Sequence, residues 1–168
     1  DMTVLQEHLT PDHLSQRAAL LQNAAIVTCD PCLPEQTLVH LLDLCEEHTP
    51  VYVDPVSTAY ARVLAPHIGR FHTAKPNVLE LEILSGQRIK SEASLRAAGE
   101  RVLGMGLKRL LVSLGSEGCL YMDRDGTVLR RKLRPVEQMV NATGAGDAFM
   151  AATIYSTLCG FDPEKTLH

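Results

Sequence analysis

Apolar positions recur along this chain at two spacings, and the switches between them predict its elements. Leu14, Ala18 and Leu21 share helical spacing behind Thr10-Pro11-Asp12, where a capping hydroxyl, a proline and an acid mark a helix start. Residues 24–29 form a short apolar run around Ile26 and Val27, read as a strand. Pro34 opens a second helix carrying Leu38, Leu41, Leu42 and Cys45 and ending near His48. Val51-Tyr52-Val53 is the next strand. Strand, helix and strand with short connections is the pattern of a parallel sheet. A short helix over 57–64 and a strand over 70–73 follow.

The second half keeps this rhythm and then changes it. Asn77 caps a helix running to Leu84, with Glu80 three residues on as in a capping box. Ser91 caps a longer helix through Leu95, Ala98, Val102 and Leu103, stopped by Gly104-Met105-Gly106. Residues 109–113 form a strand, 114–118 a tight turn, and 119–122 a returning strand. Asp125-Gly126 turns the chain again into a strand over 128–130. An apolar helix covers 148–158, and Asp162-Pro163 begins a last one. The elements predict an α/β fold, a mostly parallel sheet flanked by helices, with residues 1–168 as one domain.

Composition narrows the function classes. A length of 168 residues with 45% hydrophobic content allows a real core. A net charge of -4 argues against a nucleic-acid partner, and no apolar run is long enough to cross a membrane as a helix. The basic run Arg130-Arg131-Lys132-Leu133-Arg134 reads as a solvated face. Five scattered cysteines suit a reducing, intracellular compartment, cytoplasmic by default. Cys29 and Cys32 form a C-x-x-C without a second ligand pair at zinc spacing, so they read as incidental.

The candidate chemistry centres on Asn141-Ala142-Thr143-Gly144-Ala145-Gly146-Asp147-Ala148-Phe149. Small residues directly before an apolar helix bring free backbone N–H groups and the positive end of the helix dipole to one place. Glycine lets a bulky anion approach that backbone. Asp147 then falls in the first helical turn. A carboxylate beside an anion site suits proton abstraction from a hydroxyl that attacks a bound phosphoryl group. The bland alternative is a glycine-rich start to a buried helix, with Asp147 favouring the dipole by about 0.3–1 kcal/mol.

This nonapeptide resembles the D-T-x-G-A-G-D-x-F signature of the ribokinase-like, or PfkB, carbohydrate and nucleoside kinases. The resemblance implies that Asp147 is the catalytic base and that Gly144, Ala145 and Gly146 form the anion hole. It implies ATP and magnesium as cofactors and a sugar or nucleoside as substrate. Thr143 joins the nucleotide side of the site. Asn141 stands where the family often has an aspartate that helps bind a monovalent cation, which weakens the case for potassium. Asn77 and Glu80 match the family's N-x-x-E motif and would position magnesium and the phosphates, Glu80 through water. The turn Leu114-Gly115-Ser116-Glu117-Gly118 is locally a plain hairpin loop. By resemblance to the family's L-G-x-x-G turn, Ser113, Gly115, Ser116 and Gly118 would bind nucleotide.

Asp54-Pro55-Val56-Ser57, His72-Thr73-Ala74-Lys75-Pro76-Asn77 and Leu84-Ser85-Gly86 are similar to the pseudouridine kinase branch. The implied reaction is ATP-dependent phosphorylation of a sugar 5′-hydroxyl, with pseudouridine leading and ribose or adenosine as alternatives. A nucleotide- or partner-binding fragment without turnover is the other reading. Asp54, after a strand, is placed to hold a cation or polar ligand, or equally to cap a turn. Family members are about twice this length. The resemblance therefore implies that the lid, with most sugar-binding groups, and the C-terminal helices lie outside these residues. Exposed apolar edges and weak or no turnover by this stretch alone are expected. A homodimer made through the lid and a fused glycosidase domain are compatible with the resemblance.

Overall fold

The computed structural model describes residues 8–46, 48–133 and 143–167. Six strands form one sheet in chain order: β1 (Val27–Cys29), β2 (Val51–Val53), β3 (Thr73–Ala74), β4 (Arg109–Ser113), β5 (Cys119–Asp123) and β6 (Val128–Arg131). The first four are parallel. The last two run antiparallel through two tight turns. Parallel neighbours need crossovers, and these are helical. They are α3 (Glu35–Cys45), α4 (Thr58–Leu64), α5 (Val78–Ser85) and α6 (Glu92–Gly104), following the short α1 (Pro11–Ser15) and α2 (Ala18–Gln22). After β6 come α7 (Ala145–Leu158) and α8 (Pro163–Thr166).

Alternation along the strands sorts the two faces. Val51, Val53, Leu110, Val112, Leu120 and Met122 pack with Leu38, Leu42, Leu64, Leu81 and Val102 of the crossover helices in the main core. Tyr52 points the other way, and its hydroxyl donates to Thr157 Oγ1 of α7 at 3.1 Å. Arg109 Nη1 donates to the same oxygen at 2.8 Å. Thus α7 lies on the opposite face of the sheet from α3 to α6. It buries Met150, Thr153 and Ser156 while Tyr155 and Leu158 stay 64% and 58% exposed. A helix apolar on every side is the composition of a covered one. β1 is an edge strand, paired within the described residues only to β2.

Two expectations change in detail. The stripe Leu14, Ala18, Leu21 is not one helix: Arg17 leaves helical geometry at φ -118, ψ 13, and two five-residue helices result. Arg70 ends a 3₁₀ turn over Ala65–Arg70, and the strand expected over 70–73 is confined to Thr73–Ala74. Pro66 near the start of that turn lacks the N–H that a continuing α4 would use.

His72, just before β3, stacks on Tyr52 with ring centroids 5.4 Å apart. Burial, then the Arg109 and Lys108 charges, push its imidazole down from 6.5 to about 4. The unfolded chain therefore takes up this proton first, and stability falls as pH drops from about 6.5 towards 4. Discounted for partial solvent exposure, the loss is about 1–2 kcal/mol. Urea unfolding at pH 7 and pH 4.5 checks it: His72→Phe keeps the stacking and is expected to flatten this part of the pH dependence.

Candidate active site at the carboxyl ends of the parallel strands

The loops after β1, β2, β3 and β4 gather at one end of the sheet, where open α/β sheets place ligands. There the start of α7 meets the segment between β2 and α4. Gly144 is the N-cap, at φ 82, a left-handed conformation that glycine adopts without penalty. The first intrahelical bond runs from Ala148 N–H to Gly144 O at 2.9 Å. The N–H groups of Ala145, Gly146 and Asp147 therefore have no partner within the helix. Asp147 sits in this first turn and is exposed. Among the described residues, no hydrogen bond or ion pair engages its carboxylate. It opens on a cleft of about 350 Å³ lined also by Thr28, Cys29, Asp30, Asp54, Val56 and Met150.

Beneath the helix start lies a charged pair. Lys75 Nζ contacts Asp54 Oδ2 at 2.8 Å. Lys75 is 4% exposed. A Cβ placed on Gly146 would come within 3.3 Å of Nζ, so glycine there leaves the ammonium open to the helix terminus. Asp54 Oδ1 accepts from Val56 N–H at 3.2 Å. Val56 holds φ 64, the single non-glycine positive φ among the described residues. Ser57 N–H donates to Pro55 O at 2.6 Å, closing a tight turn around Val56. A β-branched residue in this region is strained. Asp54 thus shapes its own turn, as the capping alternative expected, and pairs with Lys75. Lys75 stands in the string that precedes Asn77 and carries no local sign of this pairing.

Asn77 and Glu80 form a complete capping box. Glu80 N–H donates to Asn77 Oδ1 at 3.0 Å, and Asn77 N–H donates to Glu80 Oε2 at 2.9 Å. Glu80 is buried, and that burial raises its carboxyl above the usual range. The Asn77 N–H bond and Lys75 pull it back, while Asp54 adds to the rise. Asn77 also bridges Ser113 at the end of β4, and Ser113 N–H donates to Pro76 O at 3.0 Å. The structure therefore links Asn77 to Glu80 and Ser113, sets Glu80 within electrostatic reach of Lys75 and Asp54, and places Lys75 and Asp54 next to Gly146.

The turn after β4 is a single 3₁₀ turn, Gly115–Glu117. Gly115 and Ser116 are exposed at the same end of the sheet, while Gly118 is buried. Gly118 has a structural duty of its own, because a Cβ there would lie 1.8 Å from Arg131 O of β6. Thr143 is exposed just before the α7 cap. Asn141, the candidate monovalent-cation residue, lies outside the described residues.

Other chemistry recedes. Burial pushes the Cys29 thiol up to about 12, with Asp30 and Cys45 adding to it, so it stays protonated at neutral pH. No cluster of metal-ligating side chains occurs among the described residues. Arg130, the first residue of the basic run, pairs with Glu92 and Glu117 at the surface. Two larger clefts, of about 570 and 440 Å³, lie at the opposite end of the sheet around His72, Lys108 and Arg124. Neither is lined by Asp147 or by any other residue of α7.

The chain is similar to several known kinases. An uncharacterized sugar kinase of Escherichia coli, YeiI, is 36% identical over 159 residues, 95% of this chain and 43% of that protein. The pseudouridine kinase of Escherichia coli is 33% identical over 144 residues, 85% of this chain and 45% of its own length. The chain thus spans a little under half the length of these relatives. Arabidopsis thaliana ribokinase, solved with ribose and ATP, superposes with a TM-score of 0.77 over 90% of this chain and 49% of that one, at 24% identity. Residues 4–168 match the pfkB family carbohydrate kinase profile, and the chain belongs to that family.

Proposed function

We propose that the full-length protein is an ATP- and magnesium-dependent kinase acting on the 5′-hydroxyl of a ribose-bearing small molecule, with pseudouridine the leading acceptor. The observation that carries this reading is Asp147, exposed and unpaired among the described residues, which lines a cleft from the first turn of a helix with open N–H groups at its start. Asp147 takes the proton of the acceptor hydroxyl. The hydroxyl oxygen bonds to the γ-phosphorus as the bond from that phosphorus to the β,γ-bridging oxygen breaks, and ADP leaves. The N–H groups at 145–147 receive the charge on the transferring phosphoryl oxygens. Such transfer depends mainly on positioning.

Magnesium neutralises phosphate charge when bound. One buried carboxylate and one amide, Glu80 and Asn77, fit an ion that keeps most of its waters, since the capping box leaves Glu80 Oε1 uncommitted. Ser113, Gly115, Ser116 and Thr143 would flank the nucleotide. Five free thiols suit a reducing compartment.

Pseudouridine leads because the wording at 54–57, 72–77 and 84–86 resembles that branch and a pseudouridine kinase is 33% identical. Deoxyribokinase relatives at 27% keep other sugars in view. The test incubates the full-length chain with ATP, magnesium and a panel of pseudouridine, uridine, adenosine and ribose, with products read by mass spectrometry. Selective 5′-phosphorylation of pseudouridine is expected. A different phosphorylated acceptor would keep the Asp147 chemistry and discard pseudouridine. ATP binding with no product from any acceptor would favour the non-catalytic reading.

A further inference from the structure

We propose that the two joined clefts at the amino ends of β3 and β4 bind a phosphate group, with Lys108, Arg124 and His72 contacting its oxygens. This site lies at the opposite end of the sheet from Asp147 and does not rest on the kinase reading.

The first ground is shape. The clefts, of about 570 and 440 Å³, share His72, Lys108 and Arg124, so they form one continuous recess of the size that small ligands occupy. Its wall is tightly joined backbone. Gly69 and Gly106 lie on the loops before β3 and β4. A Cβ on Gly69 would come within 2.0 Å of Met105 O, and one on Gly106 within 2.4 Å of Gly69 O. His72 N–H donates to Val51 O at 2.9 Å, and Arg109 N–H donates to His72 O at 2.8 Å. The second ground is unbalanced charge. In a chain of net charge -4, Lys108 and Arg124 meet here, with Arg124 N–H donating to Lys108 O at 3.1 Å. Among the described residues no acid forms an ion pair with either. Glu46 is engaged by Arg70. Asp123 accepts from the N–H groups of Asp125 and Thr127 and from the Tyr121 hydroxyl, and Asp125 is exposed on the turn. Arg109 adds a further cation, fixed by its bond to Thr157 and by the Tyr121 ring. The third ground is the imidazole among these charges. His72 Nδ1 is bonded to Thr73 Oγ1 at 2.8 Å, while Nε2 has no partner among the described residues and is open to solvent. Burial, then Arg109 and Lys108, hold this imidazole near 4, a repulsion that a bound anion relieves. A phosphate group has acceptor oxygens for all three side chains, and bonds from charged donors are the strong ones.

Such a site reports through His72. In the full-length protein with isotope-labelled histidine, titration with ribose 5-phosphate or inorganic phosphate at pH 7 and constant ionic strength is expected to move the His72 NMR signals saturably, whereas sodium chloride does not. Sodium sulfate stays a dianion while His72 titrates, and replacing chloride with it is expected to raise the His72 midpoint by about one pH unit. The double variant Lys108→Met/Arg124→Met is expected to bind either phosphate probe about tenfold more weakly and to lose the sulfate-dependent rise. Both side chains are exposed, so its thermal melt is expected to match that of wild type. Should it fold poorly, Arg124→Met alone is expected to show a loss of about threefold. Tighter binding of ribose 5-phosphate than of inorganic phosphate would assign the site to a phosphate monoester, and equal affinities would assign it to the free ion. Signals that drift with both probes as they do with chloride, or a double variant that binds as wild type does, would overturn the proposal. None of these readouts needs turnover, so the outcome is independent of whether the protein phosphorylates any acceptor.

Discussion

Asp147→Asn in the full-length enzyme is expected to lower kcat by about 10²–10⁴-fold with ATP affinity little changed. The substitution is nearly isosteric. Among the described residues no partner depends on the carboxylate, so the expected stability cost is confined to the helix-dipole contribution of about 0.3–1 kcal/mol. Activity and stability should therefore separate cleanly. Steady-state kinetics and a thermal melt on the same preparation check both. A variant with near-wild-type kcat would remove Asp147 from the role of base. A variant that lost ATP binding together with kcat would place the residue at the phosphates instead.

Gly118→Ala carries the largest expected effect on stability. Gly118 combines φ 92 and ψ -128 with burial and a backbone neighbour, Arg131 O, only 1.8 Å from any Cβ. Either β6 moves away from β5 or the turn opens. Backbone strain together with the clash is expected to cost roughly 3–5 kcal/mol. That is a large share of a domain's typical 5–15 kcal/mol. Gly115 is the control. It has φ 60 in the same turn with nothing within 4 Å of a Cβ, so Gly115→Ala is expected to cost about 1 kcal/mol. Urea unfolding of both variants tests this. If Gly118→Ala kept its stability and lost only nucleotide affinity, the glycine would be serving the ligand rather than the strand pairing.

Much of the fold was legible before any coordinates. The strand at 109–113 has the bounds expected, the capping box at Asn77 and Glu80 is complete, and Gly144-Ala145-Gly146-Asp147 opens a helix as its composition required. These are local matters, settled by propensity, capping chemistry and hydrophobic period within a few residues. The divided first helix and the short β3 were not legible, because each turns on one or two backbone conformations, at Arg17 and across 65–70. The candidate site divides the same way. Asp147, Asn77 and Glu80 could be named from their resemblance to the family's motifs. Lys75 could not, because nothing near it in sequence reveals that it is buried against Asp54 or that Gly146 covers it.

The residue order alone thus settles the α/β alternation, most helix starts and the presence of an aspartate in the first turn of a helix opened by glycine. Each depends on interactions spanning three or four residues of chain. Folding adds the meetings between distant segments. It buries Lys75 and lets it face Asp54 on one side and the α7 terminus on the other. It leaves Gly118 as the residue that lets β6 close on the turn. These depend on which backbones approach within contact distance, a property of the packed sheet that no local pattern encodes.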